Sequence, residues 1–144
     1  TASGRSSPFM GSEFAYEDLV PTRVTQYAYR FLREDTLDGR RSFVVERTPG
    51  YEGTGYSRQE LWIDTDQYRL LRVDSWDLRG RPLKTLALRD YERHADGIWR
   101  PAAAAMVNLR TEESTPLRWR DSRLRPGLRE SDVNPATLCR VRAP

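Results

Sequence analysis

From about residue 24 onward the chain alternates apolar and polar positions, and short runs of turn residues interrupt the alternation. In LWIDTDQYRLLRVDSWDLRG (61–80), Leu61 and Ile63 fall on one face of an extended strand, and Trp62 and Asp64 on the other. After Thr65-Asp66-Gln67, Leu71 and Val73 share one face and Arg72 and Asp74 the opposite one. This pattern predicts a β-hairpin with one buried face, closed by a polar loop whose aspartates bond the turn backbone. A calcium loop of the EF-hand type needs more oxygen ligands, a glycine at its sixth position and a distal glutamate, and none of these follow Asp64 and Asp66. The two acids are read as turn residues.

The same period of two recurs along the chain. VTQYAYRFLRE places Tyr27, Tyr29 and Phe31 on one face, Asp38-Gly39 supplies a hairpin turn, and RSFVVERT returns. PGYEGTG is a glycine-rich loop without the spacing or the lysine of a phosphate-cradling one. RPLKTLALRDYERH and IWRPAAAAMVNLR follow as strands around the turn ADG. The alanine run has helical propensity, but Pro101 and the flanking Ile98, Trp99 and Val107 favour a strand. PLRWRDSRL returns after TEEST, and DVNPATLCRV predicts a short terminal helix with Asn134 as cap and Pro135 in its first turn. Ahead of the strands, Glu13–Leu19 predicts one or two helical turns, capped by Ser12 and stopped by Pro21. Phe9, Met10, Phe14, Tyr16 and Leu19 are its apolar content.

Seven strands joined by short turns make an antiparallel meander, mainly β, strongly curved or partly closed into an incomplete barrel. The 144 residues fit one domain. With 38% apolar and 31% charged residues, the chain suits a sheet with one wetted face and one that needs covering, by another segment or by a ligand. No apolar run reaches the roughly 18 residues that span a bilayer. The chain opens on Thr1 with no basic-then-apolar leader, which predicts that an upstream portion has been removed.

The net charge of +3 and pI near 9.3 do not indicate nucleic acid. Lys84 is the only lysine, and the arginines are interleaved with 21 acids along alternating strands, as the solvated faces of strands would be. One local basic cluster (Arg118, Arg120, Arg123, Arg125, Arg129) offers a weak contact for anionic lipid headgroups or an acidic partner. One cysteine, Cys139, and one histidine, His94, make neither a disulfide framework nor a structural zinc set. Ser57 or Ser75 with His94 lacks a nucleophile elbow, so an enzyme is not expected, nor a cofactor or metal.

SPFMGSEFAYEDL, then YRFLREDTLDGRRSFVVERTP, then YSRQELWID through DGIWRPAAAAMVNLRT resemble the outer-membrane lipoprotein-sorting family, LolA-like relatives of the periplasmic lipoprotein carrier. FMGSxFxYEDL and the order LWID, hairpin, PLKTL, DGIW are the most specific parts, and Leu138 matches the family's final apolar anchor. The resemblance covers nearly the whole chain. It implies one half-barrel domain over 1–144, without the family's signal peptide, first helix and first strands. It also implies helices over the barrel mouth, a concave face that binds lipid or lipoprotein acyl chains, no catalytic residues, a periplasmic location, and an inner-membrane transporter as partner. Acyl burial at roughly 25 cal/mol per Å² would make one chain a substantial ligand, and handing it on requires a weakly packed lid or a mobile edge.

The alternation itself assigns Tyr27, Tyr29, Phe31, Leu61, Ile63, Leu71, Val73, Leu86, Leu88 and Met106 to one inner face. Each is read either as ordinary core or as part of a lipid-accessible lining. Trp62, Trp76, Trp99 and Trp119 are spread over four strands, so some must lie on the other face. A second functional reading is an envelope protein-interaction module that grips a polypeptide edge. The strand starting near Val24 is expected to lack an upstream neighbour and to pair instead with a second copy, giving a homodimer.

Overall fold

The computed structural model describes residues 4–21 and 23–120. The expected meander is there: β1 (Tyr27–Leu37), β2 (Arg40–Pro49), β3 (Tyr56–Asp64), β4 (Leu70–Asp77), β5 (Pro82–Arg93), β6 (Trp99–Asn108) and β7 (Ser114–Arg118). They form one antiparallel sheet in the order β1-β2-β3-β4-β5-β6-β7. Among the described residues the sheet does not close, so β1 and β7 are its edges there. The β1–β2 turn places Asp38 at φ 49° and Gly39 at φ 76°, both left-handed, as a tight hairpin demands and as Asp-Gly tolerates. The alanine run is strand: Ala103, Ala104 and Ala105 pair with β5 on one side and β7 on the other. Paired on both sides, the run gains ladder hydrogen bonds that outweigh alanine's helical propensity.

Register shifts interrupt the ladders at Phe31/Arg33, Tyr56/Arg58, Trp62/Ile63 and Ser75/Trp76. An extra residue on one strand bends and twists it locally, so these positions curve the sheet.

Residues ahead of the sheet fold back on it. Among the described residues of this segment only Tyr16–Leu19 is α-helical (α1), and Val24–Gln26 is a 3₁₀ turn. Ser12 does not cap the helix. Its hydroxyl donates to the Phe9 carbonyl at 2.6 Å and accepts the Phe14 N–H at 3.3 Å, which holds a turn over 9–12 and delays the helix. The N-cap position is Ala15, whose side chain makes no capping bond, and Asp18 in the first turn reaches back to accept the Ala15 N–H at 2.7 Å. The helix ends before Pro21, as expected. The terminal helix (Asn134, Pro135, Leu138), Cys139, and Arg123, Arg125 and Arg129 lie outside the described residues.

Candidate functional site

Strand register sorts one face of the sheet into three transverse rows. The first row is apolar until its last member: Phe31, Val45, Leu61, Val73, Leu86, Met106 and Thr115 sit opposite one another across all seven strands. The second continues it toward the β1–β2, β3–β4 and β5–β6 turns: Phe43, Ile63 and Leu70 on one side, and Leu88, Ala104 and Leu117 on the other. On the far side of the first row runs a polar one, Arg47, Gln59, Ser75, Lys84 and Asn108. The face is therefore an apolar band with a polar border at one end.

The segment before the sheet covers half of this band. Phe14 (5% exposed) forms a core with Ala104 and Met106, and Phe9, Leu86, Leu88 and Leu117 pack around it. Polar contacts hold the cover to the border row. The Lys84 ammonium donates to Asp18 at 2.7 Å and to the Glu13 carbonyl at 3.2 Å, with the two side chains only 8% and 7% exposed. Asn108 donates to the Glu13 carboxylate at 2.7 Å, and the Tyr56 hydroxyl to Asp18 at 2.7 Å. Buried Glu17 accepts the Gly55 N–H at 2.8 Å and the Thr54 hydroxyl at 2.9 Å. Burial first, then the Asp18 charge, pushes the Tyr56 phenol well above its ordinary range, so it stays a neutral donor. Every buried charge here has a partner, as buried charges must.

The other half of the band is barer. Over β1–β3 the described residues leave Phe31 59% exposed and Phe43, Val45 and Ile63 half-buried. Phe31 meets Phe43 edge-on with ring centroids 6.3 Å apart, and Phe43 stacks on Tyr68 at 6.5 Å. Tyr68, at the β3–β4 turn, is 73% exposed.

Nine residues were singled out from the sequence as ligand-lining: Tyr29, Phe31, Leu61, Ile63, Leu71, Val73, Leu86, Leu88 and Met106. Six occupy the two apolar rows in direct register (Phe31, Leu61, Ile63, Val73, Leu86, Met106), and Leu88 joins through Ala104. Leu61, Val73 and Met106 are buried, and Leu86 and Leu88 lie against the Phe14 cluster. Exposed Tyr29 faces Arg47 in the border row. Leu71 is expected to share one surface with Leu61, Ile63 and Val73. With the irregularity at Trp62/Ile63, Leu70 is the residue opposite Ile63, and Leu71 borders a hollow of ≈ 690 Å³ with Leu37, Arg40, Arg69, Arg72 and Tyr91. Sequence reasoning missed Glu17, Asp18 and Lys84. A signal for Lys84 existed: it shares a strand face with Leu86 and Leu88, a place where a lysine needs a counter-ion.

The opposite face carries the charge. Trp62 and Trp76 lie there, as expected of at least some of the tryptophans, under Arg33 at 5.3 Å and Arg58 at 3.6 Å. Arg30 pairs with Glu46 at 3.0 Å, Arg58 with Glu60 at 2.6 Å, and Arg72 with Asp74 at 2.8 Å. These are the interleaved arginines and acids of the sequence, arranged as an ion-pair ladder. Asp64 is buried at the end of this face, where its carboxylate takes the Gln67 N–H at 2.7 Å and Arg69 at 2.5 Å. It is the turn residue that the alternation indicated. From the basic cluster, Arg118 is paired with Asp90 at 3.6 Å.

Three solved structures share this fold. A domain assigned to an outer membrane lipoprotein-sorting protein from Vibrio parahaemolyticus is 39% identical, with a TM-score of 0.92 over 97% of this chain and 60% of that one. A DUF1329 family protein from Desulfovibrio piger is 30% identical, with a TM-score of 0.87 over 94% of this chain and 57% of that one. A LolA superfamily protein from Nitrosomonas europaea, 23% identical with a TM-score of 0.77 over 90% of this chain and 59% of that one, shares the fold alone. The chain thus spans about three fifths of the length of these structures. No curated protein matches it. A family model described only as an uncharacterized protein matches residues 1–140. The chain belongs to that family, and it is similar in sequence and fold to the domain assigned to an outer membrane lipoprotein-sorting protein.

Proposed function

We propose that the protein is a periplasmic carrier, one half-barrel domain that binds lipid or lipoprotein acyl chains on the apolar band and passes them toward the outer membrane. The bare half of the band supports this reading: two registered apolar rows end in Phe31, Phe43 and Tyr68, with nothing among the described residues packed over them as Phe14 packs over β5 and β6. An acyl chain laid there replaces apolar surface in contact with water at roughly 25 cal/mol per Å². The work is binding and release, without a chemical step, and an inner-membrane transporter is the donor this reading calls for.

Native mass spectrometry of the purified protein should reveal a co-purified lipid, and Ile63→Asp should abolish binding of a fluorescent fatty acid. Because Ile63 is half-buried at the barer end, the new carboxylate reaches water and the fold should survive. Collapse of Ile63→Asp, together with no dye binding by the wild type, would sink the carrier reading. A second reading, a module that grips a polypeptide edge, draws on β1, whose outer edge has no neighbouring strand among the described residues. A bound peptide in place of a lipid would favour it.

A further inference from the structure

We infer that Arg47 is the anchor for an oxyanion headgroup, so that the ligand is an anionic amphiphile. The inference rests on the carrier reading and adds the class of head to it. Arg47 stands on the apolar face in the border row, between Tyr29 on β1 and Gln59 on β3, and is half-buried. Its Nε donates to the neutral Gln59 Oε1 at 2.8 Å, and its guanidinium carbon lies 4.5 Å from the centre of the Tyr27 ring. No carboxylate among the described residues pairs with it, and its two terminal amino groups meet no acceptor there.

That sets it apart from its neighbours. On the same face Lys84 has Asp18, and Arg41 has Glu34 at 2.9 Å. On the opposite face Arg30, Arg33, Arg58 and Arg72 all have carboxylates. A half-buried cation held in place by Gln59 and Tyr27, with its outer nitrogens uncommitted, is a preorganised fork for a carboxylate or phosphate.

Position ties the fork to the band. Val45, two residues before Arg47, points to the same face in the Phe31–Leu61 row, and Phe43 two residues earlier joins the Ile63 row. At roughly 3.4 Å per residue, those rows lie about 7 and 14 Å from the anchor. A head on Arg47 therefore lays its chain over Val45 and Phe31, then Phe43 and Ile63, toward Tyr68. Tyr51, hydrogen-bonded to Tyr27 at 2.9 Å, does not compete as an anion, because burial above all raises its phenol.

The test compares a fluorescent fatty acid bearing a free carboxylate with its methyl ester, titrated into the full chain. The wild type should bind the acid about tenfold more tightly than the ester, as a charge-assisted bond gained or lost would give. Arg47→Gln should bring the acid down to the ester's affinity and leave the ester unchanged. Arg47→Lys should restore most of the preference, and it decides the matter if Arg47→Gln fails to fold. Equal binding of acid and ester by the wild type would overturn the anchor and leave the carrier intact. Parallel loss of both ligands in a folded Arg47→Gln would overturn it too, making Arg47 a packing residue. Binding of neither by the wild type would remove the carrier reading itself. A competing lysophospholipid with a phosphate monoester head separates the two sources of oxyanion: displacement of the acid extends the anchor to phosphate, and its absence restricts it to carboxylate. Displacement by inorganic phosphate alone at the same concentration would overturn the amphiphile assignment.

Discussion

Lys84→Met tests whether the Lys84–Asp18 pair fastens the amino-terminal cover to the sheet. The methionine fills much of the lysine's space but removes the cation, leaving Asp18 buried. Removing one partner of a buried pair costs about 3–5 kcal/mol. Asp18 retains two donors, the Ala15 N–H and the Tyr56 hydroxyl, each at 2.7 Å, which places the expected loss near the lower end, about 3 kcal/mol. Against a typical total of about 5–15 kcal/mol that is a large share, and at about 2–4 °C per kcal/mol it lowers the melting temperature by about 10 °C. Urea unfolding at neutral pH would measure it, with Asp18→Asn and the double variant closing a cycle. Since Asp18→Asn strands the ammonium in the same way, the double variant should lose less than the sum of the singles, with a coupling of about 2 kcal/mol. Proteolysis of the folded single variant should cut first within residues 9–20. A loss under about 1 kcal/mol, or simple additivity, would refute the pair as the fastening.

Gly55→Ala should destabilise by about 1–3 kcal/mol, because its Cβ would stand 3.0 Å from the Glu17 carboxylate and 3.1 Å from Ser6 Cβ; a thermal melt unchanged from wild type would show that the contact yields freely. In acid, stability should stay level down to about pH 4 and fall below it. Arg100 and then the Ile98 N–H lower Asp96 to about 2, while at Asp64 burial raises the carboxyl but the Gln67 N–H and Arg69 outweigh it, leaving it below the ordinary value. Groups lowered on folding stabilise above their unfolded pKa and lose that contribution as pH drops toward the folded one, so urea midpoints that stay flat to pH 2 would contradict the assignment. The edge of β1, without a neighbouring strand among the described residues, should pair with a second copy, giving a dimer by light scattering at high concentration; monomer throughout would count against it.

The strands, their number and their turns were legible because each depends on neighbours in sequence. A period of two assigns residues to faces whatever lies beyond, and Asp38-Gly39 adopts left-handed φ values almost anywhere. The same periodicity gathered Leu61, Ile63, Val73, Leu86 and Met106 on one face, since strands joined by short turns have little choice but to pair in order. Local chemistry misjudged Ser12, because its hydroxyl had a nearer acceptor in the Phe9 carbonyl. That Leu70 and not Leu71 stands opposite Ile63 was not legible for a related reason: where a ladder slips depends on both strands, and alternation along one strand cannot register it. What the tertiary structure alone decided is which half of the apolar band is covered. Lys84 and Asp18 are 66 residues apart, and Gly55 and Glu17 are 38 apart. No pattern within a strand announces such pairs. They exist because burying Phe14 against Ala104 and Met106 carries the neighbouring acids out of water, where each must find a partner on the sheet or forfeit its charge.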